Sequence, residues 1–133
     1  MARILLIDDD SLVRNMLGLT LTHFGHTVIE ARDGKEGLRL FPQVNADLVI
    51  TDLIMPEKDG FEILQELRKL HSPVKIIVIS GGVRGQTATF LDIAKHLGAA
   101  KVVAKPFPNE ALLAAIDEVL ADGGPSAKPI AAI

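Results

Sequence analysis

The chain has no cysteine, no tryptophan and no tyrosine. Without cysteine, disulfides and thiolate metal sites are excluded, and the redox compartment is left open. Five phenylalanines are its only Phe, Trp or Tyr residues, so the core has to be built from Ile, Leu, Val and Ala. No apolar run approaches the ~20 residues that span a bilayer. The first residues lead directly into a short strand and three acids, which is not the form of a signal peptide. Basic runs are lacking as well. With a net charge of −3 and nothing to neutralise several phosphates, neither direct nucleic-acid binding nor membrane attachment is expected. A soluble, cytoplasmic protein is the expectation. What is present suits it: 133 residues, 48% apolar and 23% charged, fit one domain with a single sizeable core.

Read in order, short apolar runs alternate with helical patterns. Arg3 to Ile7 predicts a buried strand ended by Asp8-Asp9-Asp10, with Ser11 as the N-cap of a helix. Val13, Met16, Leu17, Thr20, Leu21 and Phe24 give that helix its periodic face, and Gly25 stops it. Thr27 to Glu30 is a second strand. Asp33 and Glu36 form a capping pattern for a helix that Pro42 closes. Asp47 to Thr51 is a third strand running into Asp52. Asp59 and Glu62 cap the next helix, whose apolar face is Phe61, Leu64, Leu67 and Leu70, or the neighbouring Ile63. Lys75 to Ile79 is a fourth strand, and Ser80-Gly81-Gly82 a loop. Thr87 to Leu97 is helical with Phe90, Ile93, Ala94 and Leu97 inward. Lys101 to Ala104 is a fifth strand, and Asn109 to Leu120 a last helix with Leu113, Ile116 and Leu120 inward. The domain is placed at residues 1–121 and a flexible tail at 122–133.

Strands apolar on both faces that alternate with helices imply a parallel sheet covered on both sides. Right-handed crossovers then favour a flavodoxin-like, doubly wound (βα)5 fold of class α/β, with strand order 2-1-3-4-5. Strands one and three are neighbours in that order, so Asp8, Asp9 and Asp52 converge. Two like charges ~4 Å apart cost about 4 kcal/mol at an effective dielectric near 20. Lys105, at the end of the fifth strand, offsets one of the three negative charges, and a divalent ion would balance the other two. Oxygen ligands without His or Cys favour Mg²⁺ or Mn²⁺. A metal beside a carboxylate, a lysine and the Ser80 hydroxyl is what phosphoryl transfer onto Asp52 would require.

Ile7-Asp8-Asp9-Asp10, Asp52 before Met55-Pro56 and Asp59-Gly60, Ser80-Gly81, and Lys105-Pro106-Phe107 resemble the receiver domain of two-component response regulators over about residues 3 to 120. The resemblance implies that Asp52 accepts phosphate from a histidine kinase or a histidine phosphotransfer protein. It implies Mg²⁺ ligated by Asp9, Asp52 and the main-chain carbonyl of Ile54, with Asp8 acting through water. Ser80 is then the switch hydroxyl, Lys105 the phosphoryl-contacting lysine, and Lys105-Pro106 a cis peptide. The protein is expected to be a signalling phosphoacceptor rather than a turnover enzyme. Its downstream partner is expected on the face of the fourth helix, fifth strand and fifth helix, including Lys95 and Lys101.

Three departures from the family's pattern stand out. Val102 replaces the aromatic that usually sits three residues before the lysine. The segment from Ser80 to Lys105 is a few residues longer than is common. Ile54 and Gly82 occupy the positions that tune phosphate lifetime, and neither orients a water; slow self-dephosphorylation is expected, against which a phospho-Asp52 half-life of seconds with Mg²⁺ would count. No segment after Leu120 is long enough for DNA binding or catalysis, so signalling by protein contact or phosphate relay is expected.

Blander readings of single residues remain. Asp8 to Asp10 can be read as helix caps, Ser80 as a turn residue and Lys105 as a solvated lysine. Asp33 and Asp59 are better caps than ligands, and the four histidines show no metal spacing. The rival functions are a haloacid-dehalogenase-type phosphatase with Asp8 as nucleophile, which leaves Asp52 without a role, and a receiver-like scaffold that is never phosphorylated. A receiver fragment of a longer regulator is also possible, with Gly123-Gly124-Pro125-Ser126 opening a linker.

Overall fold

Residues 4–7, 48–52 and 76–79 are three unbroken buried runs, and each is a strand because its side chains find apolar partners on both sides. A computed structural model describes residues 2–53, 55, 59–70, 73–80, 87–104 and 107–123, with the backbone alone for 80, 87–91, 122 and 123. The elements are β1 (Arg3–Ile7), α1 (Ser11–His23), β2 (Thr27–Ala31), α2 (Gly34–Val44), β3 (Leu48–Asp52), α3 (Gly60–Lys69), β4 (Lys75–Ser80), α4 (Thr87–His96), β5 (Lys101–Ala104) and α5 (Asn109–Gly123). All strand pairs are parallel, in the order β2-β1-β3-β4-β5. The expected doubly wound fold is the one observed.

The period of two along a strand divides the core in two. Ile4, Leu6, Leu48, Ile50, Ile77 and Ile79 face Leu17 and Leu21 of α1 and Leu112, Ile116 and Val119 of α5. Leu5, Ile7, Val49 and Val78 face the other way, onto α2, onto Ile63, Leu64 and Leu67 of α3, and onto Ala94 of α4. At about 1.5–3 kcal/mol for each fully buried aliphatic side chain, these two layers supply most of the driving force. No helix of the described residues is long and apolar enough to cross a membrane.

Several local expectations change. Asp10, not Ser11, is the N-cap of α1: its carboxylate accepts from the backbone N–H groups of Leu12 and Val13. Helix α2 does not close at Pro42 but continues to Val44, ending on Asn45 in the left-handed region at φ 50°. The proline removes one intrahelical donor. The turn survives because Val44 is buried and its carbonyl accepts from Arg3 Nε at 2.7 Å. The strands β2 and β4 each run one residue further than expected, β3 is shifted by one residue to Leu48–Asp52, and α5 continues to Gly123, past the expected end at Leu120. The tail from residue 124 lies outside the described residues.

Helix faces moved most. Met16, Phe24 and Ile93, read as inward, are exposed; of the alternatives Leu70 and Ile63, Ile63 is buried and Leu70 exposed; and Leu112 is buried without having been expected there. Leu113 and Leu120 of α5 are half-buried against the core, and the Phe90 side chain lies outside the described residues. Short helices here carry more apolar residues than core positions, so periodicity alone does not fix which of two adjacent stripes faces the sheet.

Candidate functional site

The strand order reverses between β1 and β3, and in open α/β sheets ligands bind beyond the carboxyl ends of the strands at such a point. Asp52 is the last residue of β3, in register with Ile79 of β4. Asp8 follows β1 directly, and its N–H donates to the Ala31 carbonyl at 3.2 Å, across the end of β2. Its carboxylate accepts from the Asp10 N–H at 2.9 Å. Asp8 and Asp52 are buried, at 1% and 9% exposure, while Asp9 between β1 and α1 is exposed.

Each of the three offers a carboxylate oxygen, and those oxygens lie within 4.8 Å of one another. At that spacing each pair of charges repels by about 3–4 kcal/mol at an effective dielectric near 20. Two of the three are largely withdrawn from the water that would screen them, so the cluster suits a cation. Oxygens sharing one Mg²⁺ at ~2.1 Å sit up to ~4.2 Å apart across the octahedron. Asp9, which is exposed, has room for the small shift that closes the difference. The donor set and its spacing fit a small hard divalent ion.

The backbone behind Asp52 is shaped by close packing of α3. The Gly60 N–H donates to the Leu53 carbonyl at 2.7 Å. A Cβ at Gly60 would come within 2.7 Å of the Asp52 carbonyl oxygen and 2.8 Å of the Leu53 Cα. Only glycine lets the helix start that near the acid. Asp59 caps α3 through Glu62 in a complete capping box. The corresponding pair at α2 is offset: Asp33 accepts from the Glu36 N–H, while Glu36 accepts from Arg32 rather than Asp33. Both aspartates are caps.

Of the other residues expected at the site, Ser80 ends β4 and pairs in register with Ala104, the residue before Lys105. The backbone thus brings Ser80 and Ala104 to the same edge of the sheet as Asp52. The Ser80 side chain, Ile54, Gly82, Lys105 and the Lys105-Pro106 bond lie outside the described residues. Val102 is half-buried, packs on the α3–α4 side and pairs with Val78. Lys95 is exposed, whereas Lys101 is paired with Glu118 of α5. The His26 ring accepts from the Ala2 N–H and His23 meets Phe24 edge-on; neither faces the acids.

Two features escaped the sequence reading. Arg14 of α1 donates to the Asp8 carbonyl at 2.8 Å and to Glu30 at 3.1 Å. No local pattern announces a bond that joins residues sixteen apart. The other is an exposed apolar stripe of Leu12, Met16 and Leu19 along α1, which starts two residues after the Asp10 cap. Its spacing of four and three was visible, but the competing stripe through Leu17 and Leu21 took the core.

Comparison with known proteins agrees with this geometry. The chain is 37% identical over 127 residues to the transcriptional regulatory protein GlrR of Escherichia coli K12, covering 94% of the chain but 28% of GlrR. Its fold is similar to a response regulator receiver domain protein from Clostridium thermocellum, with a TM-score of 0.82, 32% identity, and 91% of this chain and 95% of that one covered. It is likewise similar to the response regulator protein TrrA from Thermotoga maritima, solved in complex with Mg²⁺–BeF, with a TM-score of 0.78, 32% identity, and 90% and 100% covered. The chain thus spans less than a third of the length of GlrR and nearly the whole of the two solved proteins. Over residues 4–117, which carry both ends of the acidic cluster and the strands that hold it, the sequence matches the family model for the response regulator receiver domain, and the chain belongs to that family.

Proposed function

We propose that Asp52 accepts a phosphoryl group from a phosphohistidine of a histidine kinase or phosphotransfer protein, in a reaction that requires Mg²⁺ or Mn²⁺. The observation that carries this reading is the convergence of three carboxylates at the carboxyl ends of β1 and β3. An Asp52 oxygen attacks phosphorus in line, the P–N bond of the donor breaks, and its electron pair stays on the imidazole. When bound, the divalent ion would neutralise charge on the equatorial oxygens. Asp9, Asp52 and the Ile54 carbonyl would hold it, with Asp8 reaching it through water. Ser80 and Lys105 would receive the transferred group's oxygens. The complex of the similar TrrA with Mg²⁺–BeF supports this reading.

The chain acts here as a phosphoacceptor, not as a turnover catalyst. A donor protein has to bring its imidazole to the rim formed by Asp9 and Asp10, and the apolar stripe of Leu12, Met16 and Leu19 starts beside that rim. We assign donor docking to this face and the phosphate-dependent output to the face of α4, β5 and α5. Phosphorylation adds charge that only a two-state rearrangement can transmit over that distance. The limited coverage of GlrR favours a second reading for the output: the chain is the receiver part of a longer transcriptional regulator.

The test uses a small phosphodonor such as acetyl phosphate, with Mg²⁺ or with EDTA. One phosphate should be incorporated with Mg²⁺ and none with EDTA, and Asp52→Asn should abolish incorporation. Equal labelling of the Asp52→Asn variant would refute the assignment.

A further inference from the structure

We propose that Arg14 is a positioning residue for the metal-binding acids. It holds the Asp8–Asp9 peptide, and through it the Asp9 carboxylate, where a divalent ion can be ligated. The inference rests on the reading of Asp8, Asp9 and Asp52 as a divalent-ion site.

Among the described residues no hydrogen bond fixes the Asp9 carboxylate, and the side chain is exposed. Its place is therefore set by its backbone. The peptide joining Asp8 to Asp9 is a rigid plane, so whatever holds the Asp8 carbonyl also sets the Asp9 N and Cα. Arg14 does this with a bond of 2.8 Å from its terminal nitrogen. The Asp8 N–H and carboxylate are tied to Ala31 and Asp10, which leaves the orientation of the carbonyl as the remaining freedom.

Arg14 is itself held. Its side chain is only 16% exposed, and Nε donates to Glu30 Oε1 at 3.1 Å. Glu30 stands on β2, in register with Leu6. A Cβ on Gly18, one turn further along α1, would come within 2.6 Å of the other Glu30 oxygen. Gly18 thus leaves room for the carboxylate against the helix. Three elements meet at this guanidinium, whose planar fork reaches two acceptors at once in a way an ammonium cannot.

The direction of the effect separates positioning from simple charge. Arg14 carries the same sign as the metal, so if it acted only through its field, its removal would tighten Mg²⁺ binding. A positioning role predicts the opposite. Mg²⁺ is titrated calorimetrically into the resting protein, and urea unfolding of each variant is recorded without metal. Arg14→Ala and Arg14→Lys should both weaken Mg²⁺ binding about tenfold or more, the size typical of lost partners behind metal ligands. Glu30→Gln, which keeps an acceptor for Nε, should lose less. Hydrogen exchange at the Asp9 amide should accelerate in both Arg14 variants. Unchanged or tighter Mg²⁺ binding in Arg14→Lys, which keeps the charge and fills similar space, would overturn the inference even if Arg14→Ala fails to fold. Failure of the wild-type protein to bind Mg²⁺ would overturn the site reading along with it.

Discussion

The two halves of the sheet's carboxyl edge are built differently. β3, which ends in Asp52, is buried at every residue, and β1 at all but its first. β5, which ends beside Lys105, has no fully buried residue, and Ala104 at its tip is exposed. Central strands are clamped by neighbours on both sides, whereas β5 has one neighbour and partial cover. Carboxylates that must meet within a few ångströms are carried by the clamped strands. The side proposed to respond to phosphate lies on the edge strand, where displacement breaks fewer contacts and costs less.

That contrast can be broken by substitution, and the largest effect is expected at Gly60. Gly60→Ala forces a Cβ against the Asp52 carbonyl and Leu53 Cα, atoms that cannot move without β3. It should lose about 3 kcal/mol in urea unfolding and weaken Mg²⁺ binding. Gly98→Ala, at φ 110° between α4 and β5 and packed by the Arg68 guanidinium, should cost about 1–3 kcal/mol as backbone strain and leave Mg²⁺ affinity unchanged. Equal effects of the two on metal binding would erase the distinction between the halves.

Charge offers the next test. Saturating Mg²⁺, at a hundredfold excess over its Kd, should stabilise the wild-type protein by about 2.7 kcal/mol. Asp9→Asn removes a repelling charge, so without metal it should gain about 1 kcal/mol in unfolding free energy, a modest value because Asp9 is exposed to screening solvent. It should then gain little from Mg²⁺. A destabilised metal-free Asp9→Asn would mean that repulsion among the acids is not what the cation relieves. The smallest effect is expected on the edge strand: Val102→Ala, half-buried, should lose about 1 kcal/mol with Asp52 labelling unaltered.

The acids were legible in the sequence because each follows a short apolar run, the form of a buried strand in a chain where such runs alternate with helical patterns. Given the strand order, Asp8, Asp9 and Asp52 had to meet. Asp59 and Gly60 were legible as a cap, but the approach of Gly60 to Asp52 was not, since it depends on how α3 folds back onto β3. The Arg14–Glu30 pair was hidden for the same reason, being a contact between elements rather than a pattern within one. Helix phase was misread at Met16 and Ile93 because apolar content does not say which side of a short helix the sheet will cover. Pro42 reads as a stop, but the burial of Val44 two residues later outweighs it.

The central claim is that Asp52, held beside Asp8 and Asp9, is the acid that takes the phosphoryl group. The most direct measurement phosphorylates the wild-type protein with a small phosphodonor and Mg²⁺, traps the acyl phosphate by borohydride reduction, and identifies the modified residue by peptide mass spectrometry. The account predicts modification at Asp52 alone; modification at Asp8, as the phosphatase reading requires, would contradict it.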